Sequence, residues 1–383
     1  MGGRARADKL ELRMDKLETQ MHGLDVRMER PGYDPFPQRD LGFSAYALSR
    51  PQLELCMRQR VCALGNVELR TRCRGQALVT CADGSAITGL TCQGADGTVE
   101  TVQAELVVDA SGRGALTVDL LQALGQTLPE QTTIGVDLAY ASAMFAIPAE
   151  APRDWKGVMT FGKVPENNRG ALLMPIEGHR WHLSVGGRQG EEPPGDEAGF
   201  MAYLQQLRTP TIYTAVQHAQ RLGAIARWQF PQSVYWHYER LASFPRGLLP
   251  LGDAICCFNP VYGQGMSVAA QEAQRLGQLL AKRATMADPL DGLAQRFFAQ
   301  AAELIETPWA MVSMADLALP GTRGERPPDF EQRRQTGLAM GKLAARDPAV
   351  HKLMAEVTSL LKPRSVYQDP ALMERVREVM AAG

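Results

Sequence analysis

No apolar run among the 383 residues approaches the roughly 18 to 20 that a membrane span needs. The charged start, MGGRARADKLELRMDKLETQ, has no apolar centre of the kind a signal peptide carries. A cytoplasmic protein without a membrane span is expected. An excess of one charge is also absent, because 41 Lys and Arg face 42 Asp and Glu and the pI is near 6.6. Nucleic acid or an anionic membrane held by bulk charge is thereby disfavoured, and a small-molecule ligand is the expected partner. The seven cysteines form no CxxC pair, which argues against a disulfide framework or a cysteine zinc site. Adjacent Cys256 and Cys257 read as small packing residues. His179 and His182 are three apart on a strand candidate and so face opposite sides, which leaves no shared metal. No GxSxG elbow, HExxH pair or P-loop is present.

What the chain does contain is alternating order. Leu10, Met14, Leu17, Met21, Leu24 and Met28 recur at spacings of four and three, predicting a helix over about Arg6 to Arg30. Such a stripe either docks on its own domain or pairs two copies of the chain as a homodimer. PGYDPFPQRDLGF, with three prolines and two glycines, ends it. A second helix is expected from Leu48 to Leu64, capped by Ser49. From Val67 to Leu106 short β-type runs alternate with turn signals, and a further strand, Glu105 to Asp109, leads into Ser-Gly-Arg-Gly. Thr132 to Gly187 reads as β-rich, with VDLAYASAMFAI, GALLMPI and RWHLSVGG as strands and Glu177-Gly178 turning between the last two. Thr209 to Leu222 reads as helix, Gly247 to Leu251 as strand, and nearly everything from Ser267 onward as helix, interrupted by LPGTRGERPPDF.

The chemistry concentrates in LPLGDAICCFNPVYGQGMSVAA, Leu249 to Ala270. An apolar strand ends at Gly252-Asp253, a small-residue loop follows, and Gly263-Gln264-Gly265-Met266 opens an amphipathic helix. Ligands of open α/β sheets bind where strand carboxyl ends meet helix N-termini, and the helix start offers unpaired N–H groups to an anion. Asp253 can accept hydrogen bonds from sugar-like hydroxyls, Pro260 stiffens the loop, and glycines at 263 and 265 let backbone approach a flat ring. A plain strand–loop–helix with a glycine turn is the alternative. Asp109 likewise ends a strand, and Ser111 to Gly114 form a turn able to offer N–H groups to phosphate. Met144, Phe145, Trp155, Phe161, Met174, Trp181, Trp228, Phe230, Tyr235 and Trp236 cluster in the β-rich unit and its return. Most suit core packing, and any facing the ligand would line an apolar cavity.

The segment Gly252 to Met266 resembles the second FAD motif of the p-hydroxybenzoate hydroxylase-like flavoproteins, a family of aromatic hydroxylases, squalene- and polyether-type epoxidases and prenyl reductases. The resemblance implies that Gly252 and Asp253 contact the FAD ribityl and pyrophosphate, and that Pro260, Gly263, Gly265 and Met266 line the isoalloxazine. Leu106 to Gly114 resembles the family segment near the pyrophosphate, implicating Asp109 and Gly112. Ser49-Arg50-Pro51 resembles the helix start whose arginine reaches FAD. Thr307-Pro308-Trp309 with Asp316 fits the polyketide-type epoxidase subgroup. The implied fold is an α/β FAD-binding domain built from residues 1–130 and 240–300. A β-rich substrate domain, 131–239, is inserted in it, and a helical region, 301–383, follows. The implied reaction is monooxygenation, in which NAD(P)H reduces FAD and a flavin hydroperoxide hydroxylates or epoxidises an apolar small molecule. A flavin-dependent polyprenyl-type reductase and a non-catalytic homologue remain as alternatives. The family's opening strand–GxGxxG–helix, which holds the ADP half of FAD, has no match, so the N-terminal βαβ unit is expected to be missing.

Overall fold

The computed structural model describes residues 19–113 and 116–382. Two bodies of structure flank the motif, a seven-stranded sheet and a helical layer. In chain order the first elements are β1 (Gln20–His22), β2 (Val26–Glu29), β3 (Ser44–Tyr46) and α1 (Arg50–Cys62). Then come β4 (Cys73–Thr80), β5 (Ile87–Gly94), β6 (Val99–Gln103), β7 (Val107–Asp109) and α2 (Leu116–Ala123). The large sheet is built from β8 (Glu130–Ala146), β9 (Gly157–Thr160), β10 (Gly170–Ile176), β11 (Arg180–Arg188) and β12 (Arg221–His237), with α3 (Glu197–Gln205) and α4 (Thr211–Val216) between the last two strands. The remainder is β13 (Leu248–Pro250), β14 (Cys256–Cys257), α5 (Gly265–Arg283), α6 (Leu293–Leu317), α7 (Phe330–Arg346), α8 (Pro348–Thr358) and α9 (Pro370–Ala381).

The large sheet runs β14-β12-β8-β11-β10-β9-β2, antiparallel except where β2 lies parallel to β9. Strict alternation in β10 and β11 explains its two faces. Ala143, Phe145, Trp181, Leu183, Val185 and Leu173 turn inward against α3 and α4, with Trp155 stacked on Trp181 at 6.0 Å. The intervening residues form the other face. Expected strands 170–176 and 180–187 are present, joined by a three-residue turn in which Gly178 and His179 both have positive φ. His179 is thus in the turn and His182 on β11, and no metal-binding cluster occurs among the described residues.

Two expectations are corrected. Residues 20–29 are not helix but β1, a short 3-10 turn and β2; residues 1–18 of that predicted helix lie outside the described residues. The heptad stripe misleads because it runs through Gly23, where a Cβ would lie 2.3 Å from the Arg39 carbonyl oxygen. Beyond it, Glu29 is buried and accepts hydrogen bonds from Thr160, Thr209, Thr211 and Arg27, which fixes β2 on the sheet. The predicted helix over 209–222 shrinks to α4, and β12 starts at Arg221. That long strand hides in sequence because Pro231 cannot donate to a ladder, and the pairing with β8 shifts register between Phe230 and Gln232.

β7 and β13 form a separate two-stranded parallel sheet, and the antiparallel β4-β5-β6 sheet packs beside it. The helical layer follows as expected. Its core, Phe297, Phe298, Ile305 and Val312 of α6 against Leu276 and Leu279 of α5, backs the motif. All seven cysteines are free thiols. Cys256 and Cys257 are buried, and burial pushes both thiols up, Cys257 to about 12, as befits packing residues. No helix among the described residues is long and apolar enough to cross a membrane.

Candidate functional site

The strand carboxyl ends of β7 and β13 open on one cleft. The Leu251 N–H donates to the Asp109 carbonyl at 3.0 Å, so Asp109 and Gly252 sit side by side. Asp109, Gly112, Arg113, Asp253 and Cys257 line a cavity of about 250 Å3, with Trp236 and Tyr238. Three residues singled out from sequence, 144 positions apart at the extremes (253 − 109), thus share one wall. A larger groove of about 760 Å3 lies beyond Asp109, along Val107, Val108 and Ser111 and across β4 to Arg74.

The two aspartates play different parts. Asp109 is buried and its carboxylate is consumed locally. One oxygen accepts from the Ser111 N–H and hydroxyl, the other from the Thr117 N–H and hydroxyl. It therefore ties Ser111, next to Gly112 and Arg113, and the first turn of α2 to the end of β7. Asp253 instead opens onto the cleft, and its one hydrogen-bond partner among the described residues is the Cys257 thiol at 3.8 Å. Enclosure by the cleft walls raises its pKa, while Cys257, Arg113 and Arg50 pull it down. A carboxylate with spare acceptor capacity is suited to hydroxyl donors.

Asn259 caps the 3-10 turn Pro260–Tyr262, its Oδ1 accepting the Val261 N–H at 3.2 Å. Gly263 then takes φ +66°, with nothing within 4 Å of the place a Cβ would occupy. The glycine is needed for this backbone conformation, and the space beside it is open. α5 starts immediately after. The first of its amides bonded is Val268, to the Gln264 carbonyl; the N–H groups of Gly265, Met266 and Ser267 have no partner among the described residues. Pro260, Gly263 and Met266 are exposed on this rim. Unpaired amides and the helix dipole together make the rim attractive to negative charge.

Arg50 opens α1 beyond the Ser49 cap. It is exposed and paired with Glu54 at 2.9 Å, yet its charge, like that of Arg113, is felt by both Asp253 and Tyr140. Sequence reasoning missed what holds it there. Glu177, in the β10–β11 turn, accepts from the Ser49 N–H at 2.9 Å and the Ser49 hydroxyl at 2.6 Å. Its only sequence signal was a carboxylate in a turn.

The second component is the outer face of the large sheet. Met144, His182 and Met174 form one row across β8, β11 and β10, and Ser142 and Ser184 the next, their hydroxyls 3.1 Å apart. Burial lowers the His182 pKa, which favours neutral imidazole. Tyr140, paired with Trp228, joins this face to the motif by packing on Ile134, Leu138, Phe230 and Cys257. Trp228 is 58% exposed. Of the aromatic cluster, Phe145, Trp155, Trp181, Phe230 and Tyr235 are core, whereas Trp228 and Phe161 are exposed.

Residues 32–293 match the family described as an FAD binding domain. The chain belongs to that family. It is also 32% identical over 249 residues to Protein Rv3254 of Mycobacterium tuberculosis, an alignment covering 63% of this chain and 51% of the relative. The chain thus spans about half the length of the curated relative it matches. Among solved structures it resembles the flavin-dependent brominase Bmp2, with TM-score 0.65 and 14% identity over 98% of this chain and 87% of that one. It also resembles pqsL, a probable FAD-dependent monooxygenase from Pseudomonas aeruginosa, with TM-score 0.60 and 17% identity over 83% and 84%. The fold is the p-hydroxybenzoate hydroxylase type that the motif implied.

The residues fit one end of FAD. Unpaired α5 amides, the open space at Gly263, the under-used Asp253 carboxylate and two nearby cations suit a flavin ring and its polyol chain. For the ADP end, no strand–GxGxxG–helix occurs among the described residues. There the structure offers the groove beside β7, whose described strand partner is β13 alone.

Proposed function

We propose that this protein is an FAD-dependent monooxygenase that hydroxylates or epoxidises an apolar small molecule with NAD(P)H as reductant. The observation that carries this reading is the α5 N-terminus, whose three unpaired amides begin at Gly265 beside the Asp253 carboxylate, itself under the charge of Arg113 and Arg50. Bound FAD supplies hydride acceptance from NAD(P)H and activation of O2.

The chain's own residues have four tasks. Amides 265–267 stabilise negative charge on the pyrimidine edge of the ring. Asp253 accepts from ribityl hydroxyls, and Gly112 and Arg113, next to Ser111, lie toward the pyrophosphate. Gly263, Pro260 and Met266 border the ring, and the mostly apolar sheet face of Met144, Met174, Tyr140 and Trp228 excludes water beside it. His182 and the Ser142–Ser184 pair are polar points on that face able to orient a substrate hydroxyl or carbonyl.

The test is reconstitution. Purified protein titrated with FAD is expected to quench flavin fluorescence and to rise in melting temperature. With NADH or NADPH it should then consume O2, faster with an apolar phenol such as 2-naphthol present. Protein that neither quenches FAD fluorescence nor shifts in melting temperature overturns the reading. FAD binding with hydride consumption but no O2 uptake would instead support the reductase chemistry of the same fold.

A further inference from the structure

The rim that faces the cleft is held from behind by one carboxylate. Asp316, near the end of α6, is fully buried. Its Oδ1 accepts from the Asn259 amide at 3.0 Å, the Tyr262 hydroxyl at 2.8 Å and the Arg188 guanidinium at 2.8 Å. Its Oδ2 accepts from the same Asn259 amide at 3.1 Å. Asn259, also fully buried, passes the restraint on through the Val261 N–H. Gln264 adds a second tether, donating to the Tyr262 carbonyl at 3.0 Å and to the Thr358 carbonyl of α8 at 3.3 Å. Three segments remote in sequence, α6, α8 and the end of β11, therefore meet on Asn259 to Gln264. The junction is not saturated, since Arg188 Nη1 and Gln264 Oε1 are buried without a partner.

We propose that Asp316 is a positioning residue for the flavin-facing backbone, with Arg188 as the link that ties the edge of the substrate-facing sheet to it. The proposal rests on the reading that Pro260 to Met266 borders the flavin ring. Charge-assisted hydrogen bonds to a desolvated carboxylate are stronger and geometrically stricter than neutral ones. Asp316 grips two side chains on either side of Pro260, so the turn cannot move without breaking one of them. Arg188 closes β11, whose preceding outward residues, His182 and Ser184, belong to the substrate-facing side. A shift of that edge is felt at Asp316 first. Neutralising Asp316 would free the turn and leave Arg188 a buried cation without a counter-ion.

The test uses Asp316→Asn, which preserves shape but removes the charge, together with Arg188→Lys and Arg188→Met in the full chain. Amide hydrogen exchange is measured without FAD, then FAD affinity and the visible flavin bands with it. In Asp316→Asn, the bonded amides of Val261, Tyr262 and Gly263 should exchange at least about tenfold faster while those of β8, β10 and β11 are unchanged. FAD should bind about tenfold more weakly, with altered flavin bands, and Arg188→Lys should lie closer to wild type than Arg188→Met. Unchanged loop exchange overturns the proposal, as does acceleration spread evenly over the sheet. If Asp316→Asn does not fold, Tyr262→Phe removes one donor and carries the same test at smaller amplitude. Because the exchange measurement needs no cofactor, failure of wild-type protein to bind FAD counts against the proposed function, not against Asp316.

Discussion

Glu272, on α5 behind the Gly252-Asp253 pair, is fully buried. Its Oε2 accepts the Gly252 N–H at 2.6 Å and its Oε1 has no partner. Burial pushes its pKa up to about 7, the Gly252 N–H opposes this and the charge of Asp253 adds to it. A folded pKa above the unfolded value means the native state holds the proton more tightly. Below about pH 4.5 both states are protonated and nothing is lost; between about 4.5 and 7 stability falls as pH rises; above that the loss is constant. From the ordinary 4.5 to about 7, each unit worth about 1.4 kcal/mol, the penalty at alkaline pH is about 3 kcal/mol at most. Glu272→Gln keeps an acceptor for Gly252 and removes the ionisation. It should therefore be more stable than wild type near pH 8, by up to about 3 kcal/mol, and within about 1 kcal/mol of it near pH 5. Urea unfolding of both proteins at the two pH values gives the difference directly. A loss of equal size at both pH values would refute the argument, because it would mean the carboxyl's packing, not its charge, matters there.

Asp253→Ala should weaken FAD binding at least about tenfold without lowering the melting temperature, since the carboxylate ionises against its surroundings; fluorescence titration and a melt on one sample check both. Glu29→Ala should cost at least about 3 kcal/mol in urea unfolding, because it strands the hydroxyls of Thr160, Thr209 and Thr211 and the Arg27 guanidinium. A loss under about 1 kcal/mol would show that the network relaxes around the gap. Trp228→Ala, at an exposed position, should leave stability within about 0.5 kcal/mol yet raise KM for an apolar substrate more than it lowers kcat. Equal effects on both would place Trp228 outside the substrate path.

The motif was legible because its chemistry is local. Gly252-Asp253, Asn259-Pro260 and Gly263 to Met266 each need a particular residue for a backbone conformation, a cap or an acceptor. Strands with clean alternation, β10 and β11, were legible for the same reason. β2 and β12 were not. In β2 the deciding interactions are Glu29 with threonines more than 130 positions away, and in β12 a proline and a bulge erase the period. Asp109 was legible as a strand-end carboxylate, but only the folded structure reveals that Ser111 and Thr117 bond both its oxygens.

By itself the sequence determined the family, the place where a strand hands over to a glycine-led helix, and the presence of a β-rich stretch followed by helices. Those features are written in spacings of a few residues, where covalent geometry and capping dominate. Tertiary structure alone decided which distant groups meet there: Glu177 on Ser49, Asp316 on Asn259 and Tyr262, Arg113 and Arg50 around Asp253. The first two are contacts and the last a meeting of charges, each between surfaces brought together by packing, and a lone carboxylate in a sequence carries no mark of the partner it will find.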